Sequence, residues 1–63
     1  MDYIVENGEQ QDITAEQARS LVAADVIYQC PDCGPNAYHL SNRFLNDDEG
    51  WAAVDAVVGT VAS

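Results

Sequence analysis

This sequence predicts a small α+β domain: a three-stranded, mainly antiparallel sheet carrying two helices, in the order β-α-β-β-α. Three observations predict it. The 63 residues leave room for one domain only, residues 1–63. Apolar residues make up 48 % of the chain and fall in patterned segments, unlike the composition of a disordered chain. Two segments carry helix-start signals with apolar positions at helical spacing, and three short segments are β-prone.

The elements follow in order. Residues 3–6 are β-prone, and Asn7-Gly8 behind them is a strong turn signal. A first strand over 3–6 and a polar loop over 7–12 are expected. Thr14 opens a helix, because Gln17 three residues on completes a capping box. Ile13 and Ala18 stand where a hydrophobic staple forms. That helix runs from Ala15 to about Ala24, with Ala18, Leu21 and Val22 toward the core and Glu16, Arg19 and Ser20 toward water. Residues 26–29 read as a second strand and 37–41 as a third, joined by a Pro- and Gly-rich turn into a hairpin whose tip carries both cysteines. Asn46, Asp47 and Asp48 offer N-caps for a last helix over about 48–61, with Trp51, Val54, Val58 and Val61 in one stripe. Ala52, Ala56 and Gly59 form a second face of small residues, suited to packing against a second helix, of this chain or of a partner, with close packing on the sheet as the plainer alternative. The expected core is Ile4, Ile13, Leu21, Val22, Ile27, Leu40, Phe44, Trp51, Val54 and Val58.

Charge is the strongest global signal. Eleven acidic residues face two basic ones, Arg19 and Arg43, for a net charge of −9. Nucleic acid and phospholipid surfaces are themselves anionic, so direct binding to either is not expected. A basic protein partner, or mimicry of nucleic acid by carboxylates, fits this charge; so does plain solubility or adaptation to salt. No apolar run spans a bilayer and no basic start precedes an apolar stretch, so the expected compartment is the cytoplasm. So short a chain buries a modest share of its surface, which favours a staple: a metal, a disulfide or a partner chain.

One motif carries chemistry. Cys30-Pro31-Asp32-Cys33-Gly34 lets two thiolates point at one ion, and the glycine lets the backbone curl so that amides face the sulfurs. Zinc takes four ligands in a tetrahedron. The pair supplies two, and His39 is a candidate third; Asp32 and Asp47 are merely permissible as a fourth. Zinc is therefore the cofactor to be tested, with a redox-active or disulfide pair and two inert thiols as alternatives. A homodimer in which a second subunit donates its own pair would also complete the site. The plainer reading of His39 is a partly exposed strand residue.

With an aromatic two residues before the first cysteine, Tyr28-Gln29-Cys30-Pro31-Asp32-Cys33-Gly34 resembles the hairpin of two-Cys two-His zinc fingers, and Tyr38 falls near that family's second aromatic. The resemblance covers about a quarter of the chain. It implies a finger-like hairpin followed by a helix. The family's two histidines belong on that helix, and residues 48–61 contain none. The second knuckle of a zinc ribbon is missing as well.

The remaining candidates concern binding. Asp47, Asp48 and Glu49 stand beside Trp51, so steering charge and an aromatic anchor would be adjacent; the alternative for Trp51 is core anchoring. Glu6, Glu9, Asp12 and Glu16 are a second set of carboxylates, for phosphate mimicry or a solvated face. No nucleophile is placed with a base and an orienting group, so catalysis is not expected. The functional expectation is a non-enzymatic, acidic, protein-binding regulator or inhibitor with a basic partner, of the kind viruses and mobile elements direct at host proteins. A zinc-binding finger-like module and a small thiol redox protein are the alternatives.

Overall fold

The computed structural model describes residues 1–62, and side chains through residue 59. Strand β1 (Asp2–Glu6) pairs antiparallel with β2 (Glu9–Ile13), in register from Asp2↔Ile13 to Glu6↔Glu9. Asn7 and Gly8 turn the chain between them with φ of 50° and 84°. Positive φ at both central positions is the two-residue hairpin turn that Asn-Gly favours. The expected loop over 7–12 is thus a hairpin arm. Glu9, Gln10, Gln11 and Asp12 offer no apolar alternation, so they pair through the backbone, and only Ile13 at the end of β2 is buried.

Helix α1 (Ala15–Ala23) starts as the sequence predicts. The Thr14 side chain accepts the Gln17 amide at 3.0 Å, and the Gln17 side chain accepts the Thr14 amide at 2.9 Å. It ends with Val26 N–H donating to the Leu21 carbonyl at 2.9 Å and Asp25 N–H to the Val22 carbonyl at 3.0 Å. This paired closure needs a left-handed residue, and Asp25 supplies it with φ 60°.

Strands β3 (Ile27–Gln29) and β4 (Ala37–Leu40) form the expected antiparallel hairpin, and helix α2 (Asp47–Ala62) closes the chain. The sheet order is β2-β1-β4-β3, with β1 parallel to β4 through Tyr3↔Ala37 and Ile4↔Tyr38. The class is α+β with two helices as predicted, but the sheet has four strands and is mixed, and the order is β-β-α-β-β-α. A parallel pair needs a crossover, and here β2, α1 and β3 form it.

Ile4, Ile13, Leu21, Ile27, Leu40 and Val54 are buried as expected, and Phe44, Trp51 and Val58 pack against that cluster half-buried. Val61 lies outside the described side chains. Val22 is the correction: it is 46 % exposed. Ala18 and Leu21 form the buried stripe of α1, and Val22 lies about 100° round from Leu21, at its rim. Val26 and Ala37 join the core instead, Val26 because it closes α1 and Ala37 because β4 is a central strand. Ala52, Ala56 and Gly59 are turned to the exposed side of α2 rather than onto the sheet. Gly50 is the close approach in α2: a Cβ there would stand 2.8 Å from Leu40 Cδ1 and 3.3 Å from the Phe44 ring.

Candidate metal centre

The β3–β4 loop is held at several points before any side chain is considered. Cys30 N–H donates to the Ala37 carbonyl at 2.9 Å and Cys33 N–H to the Cys30 carbonyl at 3.0 Å. Tyr3 N–H, from β1, donates to the Asn36 carbonyl at 3.0 Å. To these main-chain bonds the Gln29 side chain adds one, its Nε2 donating to the Pro35 carbonyl at 3.4 Å. Gly34 takes φ 147°, and a Cβ on it would meet the Tyr3 hydroxyl at 3.1 Å, so the chain after Cys33 curls in a way a larger residue resists.

This loop brings the two cysteines together with Cα atoms 5.4 Å apart, at disulfide distance. His39 joins them from β4. Ligand atoms of Cys30, Cys33 and His39 lie within 4.8 Å of one another, close enough to hold a metal ion. Cys33 is exposed, while Cys30 and His39 are half-buried. Among the described residues that group contains neither Asp32 nor Asp47, so three groups that could hold an ion come together, one short of the four a tetrahedral site takes.

The orientation of His39 is the informative feature. Its Nδ1 lies 2.7 Å from the Val5 carbonyl oxygen. A carbonyl only accepts, so Nδ1 carries the proton and donates. In the neutral ring this leaves the Nε2 lone pair on the other side, 3.0 Å from Cys33 Sγ. A histidine ligand behaves in this way: one nitrogen faces the metal and the other donates to a carbonyl or carboxylate that fixes the tautomer. Glu6 adds the carboxylate, with Oε1 3.4 Å from Nδ1 while also accepting Leu40 N–H at 3.2 Å. Tyr28 flanks the imidazole at 5.9 Å between ring centroids. The site thus rests on β4, with its second layer drawn from the parallel neighbour β1.

The β3–β4 hairpin and the following helix α2 are present, but His39 stands on the hairpin's own second strand and not on the helix. Val5 and Glu6 are the residues that sequence reasoning missed. Glu6 reads as one of a solvated acidic set, and Glu9, Asp12 and Glu16 are indeed exposed. Glu6 itself is half-buried and engaged. The pairing of β1 with β4 was the signal needed, and no local pattern announces it.

The acidic candidates lie elsewhere, at the start of α2. Asn46 caps this helix, its Oδ1 accepting Glu49 N–H at 2.9 Å. Asp47 accepts a hydrogen bond from the Asn7 side chain and so ties the β1–β2 turn to α2. Asp48 and Glu49 are exposed. Trp51 packs against the core, its indole N–H buried without an acceptor among the described residues. No helix among the described residues is long and apolar enough to cross a membrane.

Compared with known proteins, the chain matches no family model, no curated protein and no solved structure.

Proposed function

We propose that this protein is a small zinc-binding interaction module in which Cys30, Cys33 and His39 hold one ion and the fourth position faces outward. The observation that supports it best is the His39 ring: Nδ1 is committed to the Val5 carbonyl at 2.7 Å, which aims the Nε2 lone pair at the sulfurs. A plain strand histidine has no need of such a tautomer lock, whereas a ligand benefits from it. The donor set of two sulfurs and one imidazole suits zinc. A short chain with a modest core is also the kind that gains most from a metal staple. With three protein ligands, the fourth position is left to water or to a donor from another molecule.

The experiment is a titration of the reduced, metal-free protein with Co²⁺ and then Zn²⁺. One equivalent of Co²⁺ should give the intense visible bands of a tetrahedral sulfur-containing site, and Zn²⁺ should displace it. His39→Ala should weaken binding, and Cys30→Ser with Cys33→Ser should abolish it. Zinc at 100 times its Kd should stabilise the fold by about 2.7 kcal/mol, read as a higher melting temperature. Binding no tighter than that of the double serine variant would remove the reading.

A second reading concerns the rest of the surface: an acidic regulator, without catalysis, that docks on a basic protein. Its support is the net charge of −9 together with exposed Asp48 and Glu49 at the start of α2. The two readings are compatible, since the carboxylates would steer a partner and the metal-bearing hairpin would hold its own loop in shape.

A further inference from the structure

We propose that Cys30 and Cys33 make the metal centre a redox switch: a hydroperoxide oxidises the pair to a disulfide, and the zinc leaves while the domain stays folded. This rests on the zinc-binding reading above and adds a reaction to it.

One backbone can hold both states of such a switch. The Cα atoms of Cys30 and Cys33 are 5.4 Å apart, inside the span that a disulfide requires. Tetrahedral zinc with sulfur at its usual bond length holds two sulfurs about 3.8 Å apart. Rotation of two short side chains covers the difference between the states. The loop backbone has no reason to move, because its tethers are made by main-chain groups: Cys30 N–H to Ala37, Cys33 N–H to Cys30, and Tyr3 N–H to Asn36. His39 is likewise held from behind by Val5, independently of what the sulfurs do.

Access is asymmetric in the way the chemistry needs. Cys33 is exposed and Cys30 is half-buried beside it. The reaction balances in two steps. The Cys33 thiolate attacks one peroxide oxygen; the O–O bond breaks, hydroxide leaves, and Cys33 becomes a sulfenic acid. The Cys30 thiolate then attacks that sulfur, the S–O bond breaks, a second hydroxide leaves, and the S–S bond forms. Two thiolates, one H₂O₂ and two protons thus give one disulfide and two waters. Each sulfur gives up one electron and the peroxide takes two. Zinc is not oxidised. It leaves because a disulfide sulfur carries no charge and ligates poorly, so only the His39 nitrogen remains to hold it.

The consequence differs from that of an ordinary zinc finger, which unfolds when its metal goes. Here one staple replaces another across the same loop. What oxidation removes is the ion and its outward coordination position, and with them any partner that binds through that position.

The test uses the zinc-loaded, reduced full chain treated with one equivalent of hydrogen peroxide. Three readouts run together: released zinc by a chromogenic chelator, intact mass, and circular dichroism. The expected result is one zinc released per chain, a mass about 2 Da below that of the reduced metal-free chain, and an unchanged spectrum. Dithiothreitol with added zinc should restore the starting state. Cys30→Ser should remove the disulfide product and leave Cys33 to overoxidise. Zinc retained with both thiols intact overturns the switch and leaves the zinc reading standing. So does zinc loss that gains oxygen mass without a disulfide, or that unfolds the chain. A reduced chain that takes up no zinc at all removes both proposals together.

Discussion

At the scale of single residues, Asp25 shows a local cost accepted for a connection. Left-handed backbone crowds a Cβ against the following carbonyl, a penalty Asp bears better than most residues but glycine does not bear at all. Asp25 takes φ 60° so that α1 can close and Val26 can enter the core at 3 % exposure. The only side-chain interaction recorded for it among the described residues is with Arg43 Nε, 3.7 Å away and well exposed, a pair worth little in water. The firmer Arg43 contact, Nε donating at 2.8 Å, goes to the Asp25 main-chain carbonyl and survives any substitution there. Asp25→Gly should therefore stabilise the fold by about 0.5–1 kcal/mol, seen as a melting temperature a few degrees higher. An unchanged or lower value would mean that the carboxylate contributes more than its exposure suggests. The same scale explains why His39 was legible only as a candidate. Its spacing from Cys33 reads directly from the chain, but the carbonyl that fixes its tautomer belongs to Val5, 34 positions earlier.

Among the elements, those with a local signature were legible and those defined by a neighbour were not. The α1 start could be read because Thr14 and Gln17, the two ends of one four-residue segment, complete each other's hydrogen bonds. The β3–β4 hairpin could be read because a dense turn separates two β-prone runs. Strand β2 could not: its residues are polar, and only the Asn7-Gly8 turn and the pairing with β1 make it a strand. Parallel β1 beside β4 leaves no trace in either segment, yet it carries half the candidate site, since Val5 and Glu6 reach His39 across it. Helix α2 adds a different lesson, in that its contact with the sheet depends on a missing side chain. Gly50 is buried against Leu40 and Phe44, and a methyl there would meet Leu40 at 2.8 and 3.3 Å. Alanine favours the helix by about 1 kcal/mol over glycine. Overpacking a buried contact costs roughly 1–3 kcal/mol, and Leu40 has little room to yield at 5 % exposure. Overpacking should win. Gly50→Ala is expected to destabilise by about 1 kcal/mol in a denaturant melt, whereas a gain would show that α2 can lift from β4 without loss.

The whole molecule is a small body carrying a large charge: −9 on principal extents of 31 × 26 × 19 Å. At physiological salt the Debye length is about 8 Å, so only neighbouring carboxylates still repel one another, whereas near 10 mM it is about 30 Å and the repulsion reaches across the whole surface. Self-repulsion destabilises a compact state relative to an expanded one. Salt should therefore raise the melting temperature of the protein between about 10 and 150 mM NaCl. The course beyond that range separates two reasons for the acidity. Screening of exposed carboxylates is nearly complete near 1 M, where the Debye length falls to about 3 Å. A surface kept acidic for steering a basic partner should thus level off, and its association with a polylysine probe should slow with salt through the on-rate while the off-rate changes less. A surface adapted to brine should keep gaining stability into molar salt and lose its fold near zero salt. Repeating the series in sodium sulfate at matched ionic strength separates screening from the general strengthening of burial that sulfate brings. A melting temperature that is flat or falling over the first part of the series would show that the eleven carboxylates are spaced widely enough not to strain the fold, and the acidity would then say nothing about stability. A plateau together with a salt-sensitive on-rate is the outcome expected here. Exposed Asp48 and Glu49 are the natural residues to neutralise first, because Asp47 beside them is engaged by Asn7 and Asn46 keeps the helix capped without them.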